Sequence, residues 1–247
     1  MPFPGPERIR AILLDIEGTT TPTAFVYDVL FPYAAERLST FVHEHFQDAE
    51  MRTHFAQLKE QRLADANSDL PVRRESSEEA QIDSLVEYAR WLMKRDSKAT
   101  ALKAIQGKIW EEGYAHGKLR GQVYSDVAPA FQRWRQQGKQ IYIYSSGSEL
   151  AQRLLFQTTD YGNLTHLIAG FFDTRVGSKT DPRSYQEIAT RMLCTPQKIL
   201  FVSNSLGELE AAQPIGMLTA LSFRSLDSAP ASAKFMTIHS FDEIFPG

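Results

Sequence analysis

Four groups of polar residues have types and spacing that can do chemistry, and each follows an apolar run. The first is Asp15-Ile16-Glu17-Gly18-Thr19-Thr20. Two carboxylates two residues apart can share a site where the turn coils back. One then serves as nucleophile or metal ligand and the other as general acid/base. The same acids also suit a plain surface turn with an Asx-type hydrogen bond. The second group is Ser145-Ser146-Gly147-Ser148. Hydroxyls and backbone N–H groups converging at a helix start suit an anion such as phosphate. Ser148, followed by Glu149, reads as a helix cap, and the G-x-S-x-G of a nucleophile elbow is absent. The third is Lys179 in Val176-Gly177-Ser178-Lys179-Thr180. It is not a Walker A lysine, because that motif needs Lys directly after Gly and an earlier Gly at fixed distance. The fourth is Ser203-Asn204-Ser205-Leu206-Gly207-Glu208. Asn204 and Glu208 carry oxygen donors for a hard cation, or else form a turn and helix cap. His43 and His45 are spaced i, i+2 and do not share a helix face.

The elements that must position these residues follow from periodicity. Ile9 to Leu14 is an apolar run ending at Asp15 and predicts a buried strand. Helical spacing follows over Phe25 to Phe46, over Ile82 to Met93 and over Ala101 to Trp110. The polar stretch from Asn67 to Glu79 predicts a loop whose Ser76-Ser77-Glu78-Glu79 end starts a helix. After Tyr124 the pattern alternates. Helices are expected over Val127 to Gln137, Ser148 to Phe156, Tyr185 to Leu193 and Glu208 to Gln213. Strands are expected at Ile141 to Tyr144, Leu167 to Phe171, Ile199 to Val202, Leu218 to Phe223 and Met236 to Ile238. Such alternation predicts an α/β fold with a parallel sheet covered on both faces. Ligands of such sheets collect at the carboxyl ends of strands, where all four polar groups fall.

Length and charge bound the rest. At about 150 residues per domain, 247 residues make between one and two domains. The net charge of -3 argues against a sequence-independent nucleic-acid binder, which needs a basic surface. One cysteine, Cys194, excludes an intramolecular disulfide framework and a multi-cysteine metal site. No stretch reaches the apolar length of a membrane span, and Met1 to Pro6 lacks the basic start of a signal peptide. The chain is expected to be cytoplasmic, to bind neither membrane nor nucleic acid, and to act as a monomer.

Taken together, the four groups resemble the haloacid dehalogenase-like hydrolase superfamily in order and spacing. More specifically the chain resembles the enolase-phosphatase (acireductone synthase) family of methionine salvage. The resemblance is carried by Asp15-Ile16-Glu17-Gly18-Thr19-Thr20-Thr21-Pro22 and Ile109-Trp110-Glu111-Glu112-Gly113-Tyr114 with Gly117 and Leu119. It continues through Val123-Tyr124-Ser125-Asp126-Val127, Ile141 to Ser148 and Phe171-Phe172-Asp173-Thr174. It implies a Rossmann-like parallel core over residues 1–20 and 123–247, with an inserted helical cap over 21–122. It implies that Asp15 is the nucleophile, forms an aspartyl-phosphate and binds Mg²⁺. Glu17 would bind the metal and act as acid/base, Ser145 and Ser146 would hold the substrate phosphate, and Lys179 would neutralise that phosphate and Asp15. The implied substrate is 2,3-diketo-5-methylthiopentyl-1-phosphate, enolised and then dephosphorylated in one site, with Tyr114 and Leu119 candidates for the methylthio pocket. One departure stands out. Asn204 replaces the family's aspartate, so one Mg²⁺ ion is expected to bind more weakly, aided by Glu208 and by Glu210 if they reach. Asn204 also keeps two other readings open. One is a metal-independent hydrolase of dehalogenase type, and the other is a catalytically weak ligand-binding or regulatory relative.

Overall fold

The computed structural model describes residues 6–224 and 234–246. Residues 1–5, which include most of the N-terminal stretch expected to carry no export signal, lie outside the described residues, as do residues 225–233 and 247. The chain divides into two compact units, Met1–Val26 with Arg120–Gly247, and Tyr27–Leu119. The first unit therefore keeps Thr21 to Val26 and Arg120 to Gln122, which the sequence reading assigns to the insertion. The backbone explains the N-terminal margin: Thr21 N–H donates to Ile16 O at 2.9 Å, and Tyr124 N–H donates to Thr20 O at 3.0 Å.

The first unit is built on six parallel strands in the order β3-β2-β1-β4-β5-β6. They are β1 (Ala11–Leu14), β2 (Gln140–Tyr144), β3 (Gly170–Phe172), β4 (Ile199–Ser203), β5 (Leu218–Ser222) and β6 (Met236–Ile238). Every residue of β1 and β4 is buried. That explains their unbroken apolar sequence, because central strands of a parallel sheet have no wet face. Register aligns Leu14 with Ile143 on one side and with Val202 on the other. Asp15, the serines after Tyr144, and Asn204 thus leave the sheet at one edge. Chain order reverses between β1 and β4, a switch point of the kind where open α/β sheets bind ligands.

Helices α5 (Val127–Gln136), α6 (Glu149–Gln157), α7 (Pro182–Arg191) and α8 (Leu206–Ala212) complete this unit. Their starts carry local signals. The Ser148 hydroxyl accepts from Ala151 N–H at 3.3 Å, and Asp181 accepts from Arg183 N–H at 2.9 Å ahead of Pro182. Both are N-caps that satisfy otherwise orphaned donors. The α7 and α8 starts lie three and two residues earlier than expected; for α7 the reason is Pro182, which is pre-set for a first helical turn.

The second unit contains α1 (Phe31–His45), α2 (Ala49–Ala64), α3 (Glu78–Lys94) and α4 (Thr100–Ala115). A π-helical turn over Phe25–Leu30 precedes α1. Ser77 caps α3 by accepting from Ala80 N–H at 3.2 Å, as the serine-rich loop end suggests. The indole N–H of buried Trp110 donates to Leu30 O at 2.9 Å, fastening α4 to the start of α1. The Leu119 side chain and the Tyr33 ring each lie close against Gly113, and Leu119 and Tyr114 are buried. None of the described helices is long and apolar enough to cross a membrane.

Candidate active site

Asp15 follows β1 and is buried at the head of a tightly folded turn. Its N–H donates to Val202 O at 3.0 Å, tying the residue to β4. Ile16 O accepts from the N–H groups of Thr19, Thr20 and Thr21 at 3.1, 2.9 and 2.9 Å. Gly18 has φ +66°, a left-handed conformation that suits glycine. A Cβ there would fall 2.4 Å from Asn204 Nδ2, so the Asn204 side chain lies directly against this turn. The turn recoils as its two acids and glycine suggest. The Thr19 hydroxyl donates to Asp15 Oδ2 at 3.3 Å.

Lys179 reaches Asp15 from the loop before α7. Its Nζ lies 2.5 Å from Asp15 Oδ1 and 2.7 Å from Glu208 Oε2. The three side chains are 11, 7 and 15% exposed, so the contacts are shielded from water. Burial works against the charge on Lys179, but Asp15 and Glu208 hold its pKa above the usual lysine value. Burial and then the charge of Asp15 push Glu208 up, against the pull of Lys179. The cation is therefore fixed at this site, and two acids compete for it.

The Lys179 backbone is fixed as firmly as its tip. Tyr185 OH donates to Lys179 O at 2.7 Å, the Ser184 hydroxyl to Ser178 O at 2.7 Å, and Tyr144 OH to Gly177 O at 3.1 Å. Burial raises the Tyr144 phenol to about 12, so it remains a donor at neutral pH. A lysine that ordinary loop statistics would leave solvated is held by one side-chain hydroxyl on its own carbonyl and two on the residues just before it.

Glu208 accepts from the Ser203 hydroxyl at 2.8 Å as well as pairing with Lys179. The carboxylate expected to aid a cation thus lies against the lysine that also holds Asp15. Glu210 pairs with Lys234 at 2.8 Å and is about half-exposed. It cannot assist Glu208, since residues two apart on α8 point to different faces. Ser145 N–H donates to Phe172 O at 3.1 Å, and the Ser145 hydroxyl accepts from Gly147 N–H at 3.2 Å. This fixes the half-buried Ser145–Ser148 turn at the end of β2, beside the end of β1. Glu17 is half-buried and forms a parallel bridge with Thr21.

A buried ion pair supports the Asp15 turn from behind. Arg224 donates through Nε and Nη2 to Thr19 O at 3.0 and 2.6 Å, and its Nη1 contacts Asp126 at 2.6 Å. Asp126 also accepts from Phe241 N–H at 2.5 Å and the Ser240 hydroxyl at 3.1 Å. Asp126 stands within a stretch the sequence reading marks. Its partner Arg224 carries no sequence signal, because residues 98 positions apart reveal no pairing before the chain folds.

The donors offered to a divalent cation are few. Among the described residues no group of three or more His, Cys, Asp or Glu side chains is arranged to hold a metal. Asp15 supplies one carboxylate, Asn204 one neutral amide oxygen, and the turn its carbonyls. That set fits Mg²⁺, which keeps several waters and commonly takes one or two carboxylates plus a substrate phosphate. It would not fit a metal that demands a closed protein cage.

Residues 9–216 match the model of the haloacid dehalogenase-like hydrolase family. The chain is 44% identical over 242 residues to enolase-phosphatase E1 of Synechococcus elongatus, covering 98% of this chain and all of the relative. It is 41% identical to enolase-phosphatase E1 of Xenopus tropicalis, covering 92% of this chain and 90% of the relative. Among solved structures, the UTR4 protein of Saccharomyces cerevisiae superposes with a TM-score of 0.75 at 29% identity, over 95% of this chain and 99% of the other. With the buried Asp15–Lys179–Glu208 cluster at the switch point of a 3-2-1-4-5-6 sheet, these matches mean that the chain belongs to the enolase-phosphatase family of haloacid dehalogenase-like hydrolases.

Proposed function

We propose that the protein is a phosphatase with enolase activity in methionine salvage. Its substrate is 2,3-diketo-5-methylthiopentyl-1-phosphate and its product is acireductone. The observation that carries this reading is the single lysine bridging two buried carboxylates at the switch point. Asp15 is the nucleophile. Its free oxygen attacks phosphorus, the bond to the substrate oxygen breaks, and an aspartyl-phosphate forms. Lys179 holds Asp15 in one orientation and offsets charge on the phosphoryl group, and it does so in a water-poor setting that strengthens the effect. Glu17 is the acid/base that gives a proton to the leaving oxygen and takes one from the attacking water. The Ser145 and Ser146 turn receives the phosphate. The helical unit over Tyr27–Leu119 acts as a cap that limits water.

Mg²⁺ is the cofactor of this reading, held by the Asp15 carboxylate, Glu17 and the Asn204 oxygen. When bound it supplies positive charge to the phosphate. Glu208 is a positioning residue for Lys179. The dehalogenase-type and non-catalytic readings are not favoured, given relatives of one name over nearly the whole chain. A cytoplasmic monomer that binds neither membrane nor nucleic acid fits the net charge of -3.

The test is phosphate release from the phosphorylated diketone or a close analogue, with and without Mg²⁺, while enol absorbance is followed in the same run. Asp15→Asn is expected to abolish phosphate release while leaving the fold intact by circular dichroism. Retained turnover would sink the nucleophile assignment.

A further inference from the structure

A second cationic site lies within the helical unit. Lys59 and Arg62 of α2, Arg73 and Arg74 of the following loop, and Gln81 and Ser84 of α3 line a pocket of about 50 Å³, with Glu75 at its side. Arg62 is only 9% exposed. Its Nη1 donates to Ser84 O at 3.3 Å and to the Ser84 hydroxyl, and its Nη2 donates to Pro71 O. These acceptors are neutral. Among the described residues no carboxylate forms an ion pair with Arg62. Buried charges are ordinarily paired. Here burial and then the like charge of Arg73 hold the guanidinium below its ordinary pKa.

The local acids do not balance this group. Glu75 pairs with Arg73, and Glu87 with Arg74 at 3.3 Å, all four largely exposed. Lys59 donates to Gln81 Oε1 at 3.4 Å. Four cations thus face two carboxylates. Three of them, Lys59, Arg73 and Arg74, line the pocket together with the buried guanidinium of Arg62 and with Ser84. Guanidinium forks match phosphate oxygens in pairs. About 10–15 Å³ of such cavity space holds a water, so the pocket has room for a small oxyanion head.

We propose that this pocket is a phosphate-binding site, separate from the catalytic one, that takes a tetrahedral oxyanion between Arg62, Arg73, Arg74 and Ser84. The alternative is that Arg62 serves only as a strap joining the 65–77 loop to α2 and α3. A strap needs no anion.

The experiment titrates the full chain with inorganic phosphate by calorimetry and maps hydrogen exchange across residues 59–85. The double variant R73Q/R74Q removes the two exposed arginines and leaves Arg62 in place to hold the fold. We expect two phosphate equivalents in the parent protein, one of them lost or weakened about tenfold or more in the variant, as loss of charge-assisted contacts requires. Phosphate should slow exchange in 59–85 in the parent and not in the variant. Identical isotherms with no protection of 59–85 would overturn the site. Repeating the exchange measurement in an Asp15→Asn background with a stable phosphate monoester identifies the source. Protection at lower monoester than phosphate concentration assigns the site to an ester headgroup, and the reverse assigns it to free phosphate.

Discussion

Lys179 is useful because it is shared. With Asp15 alone it would neutralise the nucleophile, but Glu208 draws on the same ammonium from the other side. Removing the lysine would leave two carboxylates together in a buried site, where unpaired charge is strongly destabilising. The more informative change is Glu208→Gln, which keeps the shape and withdraws one charge. Loss of such an outer partner typically costs about 10–100-fold in activity. We expect that loss in kcat with KM little changed, since the substrate does not need Glu208 for binding. An unchanged kcat would remove its positioning role. Asn204 makes a separate prediction. A carboxylate raises the charge offered to a hard cation, so Asn204→Asp should lower the Mg²⁺ concentration for half-maximal phosphate release by about tenfold, on the scale by which ligand charge tunes affinity. A superimposable Mg²⁺ titration would show that Asn204 does not touch the metal.

At the scale of elements, close approaches decide tolerance. Gly121 donates its N–H to Thr158 O at 3.1 Å, and a Cβ on it would fall 2.0 Å from Leu155 O. Both atoms belong to backbone, so no side chain can swing aside. Gly121→Ala should cost at least the roughly 1–3 kcal/mol typical of overpacking, read as a lower midpoint in urea. An unchanged midpoint would mean that the Gly121 strap to the end of α6 relaxes freely. This glycine carries no signal in the sequence, for its constraint comes from a residue 34 positions on. Other elements were legible. The apolar runs of β1 and β4 have no alternative to full burial, and Ser77, Ser148 and Pro182 announce their helix starts locally. Helix α2 was not marked, because its inward stripe is Met51, Phe55, Leu58 and Arg62. Three apolar residues and a buried arginine give weak periodicity. The four polar groups were visible in sequence for the same reason that strands were, since each interrupts an apolar run. The family resemblance already joins Asp15 and Lys179 in one site, but the pairing of Lys179 with Glu208 was not visible, because it depends on where the loop before α7 and the start of α8 meet in the fold.

At the scale of the molecule, the Tyr27–Leu119 unit interrupts the chain directly after the strand at the sheet's centre. Amides of β1 and β4 are buried and paired on both sides, so they should exchange with deuterium among the slowest in the protein, at rates that report its global stability. Faster exchange there than in β3 or β6 at the edges would contradict the central placement. Residues 98 and 164 positions apart close the site. Such long-range pairing predicts slow folding compared with helical proteins of equal length.

The pairing of Ala11 with Gln140 on one side and with Ile199 on the other also sets a schedule for synthesis. The first strand to leave the ribosome gains its second neighbour only when β4 has been made. At about 5–20 residues per second, roughly 10–40 s pass between its emergence and that of β4. For the first part of that interval β1 has no partner, and once β2 has followed it still has one unpaired edge. Slower translation between β1 and β4 should therefore lengthen the time for which that edge must be shielded.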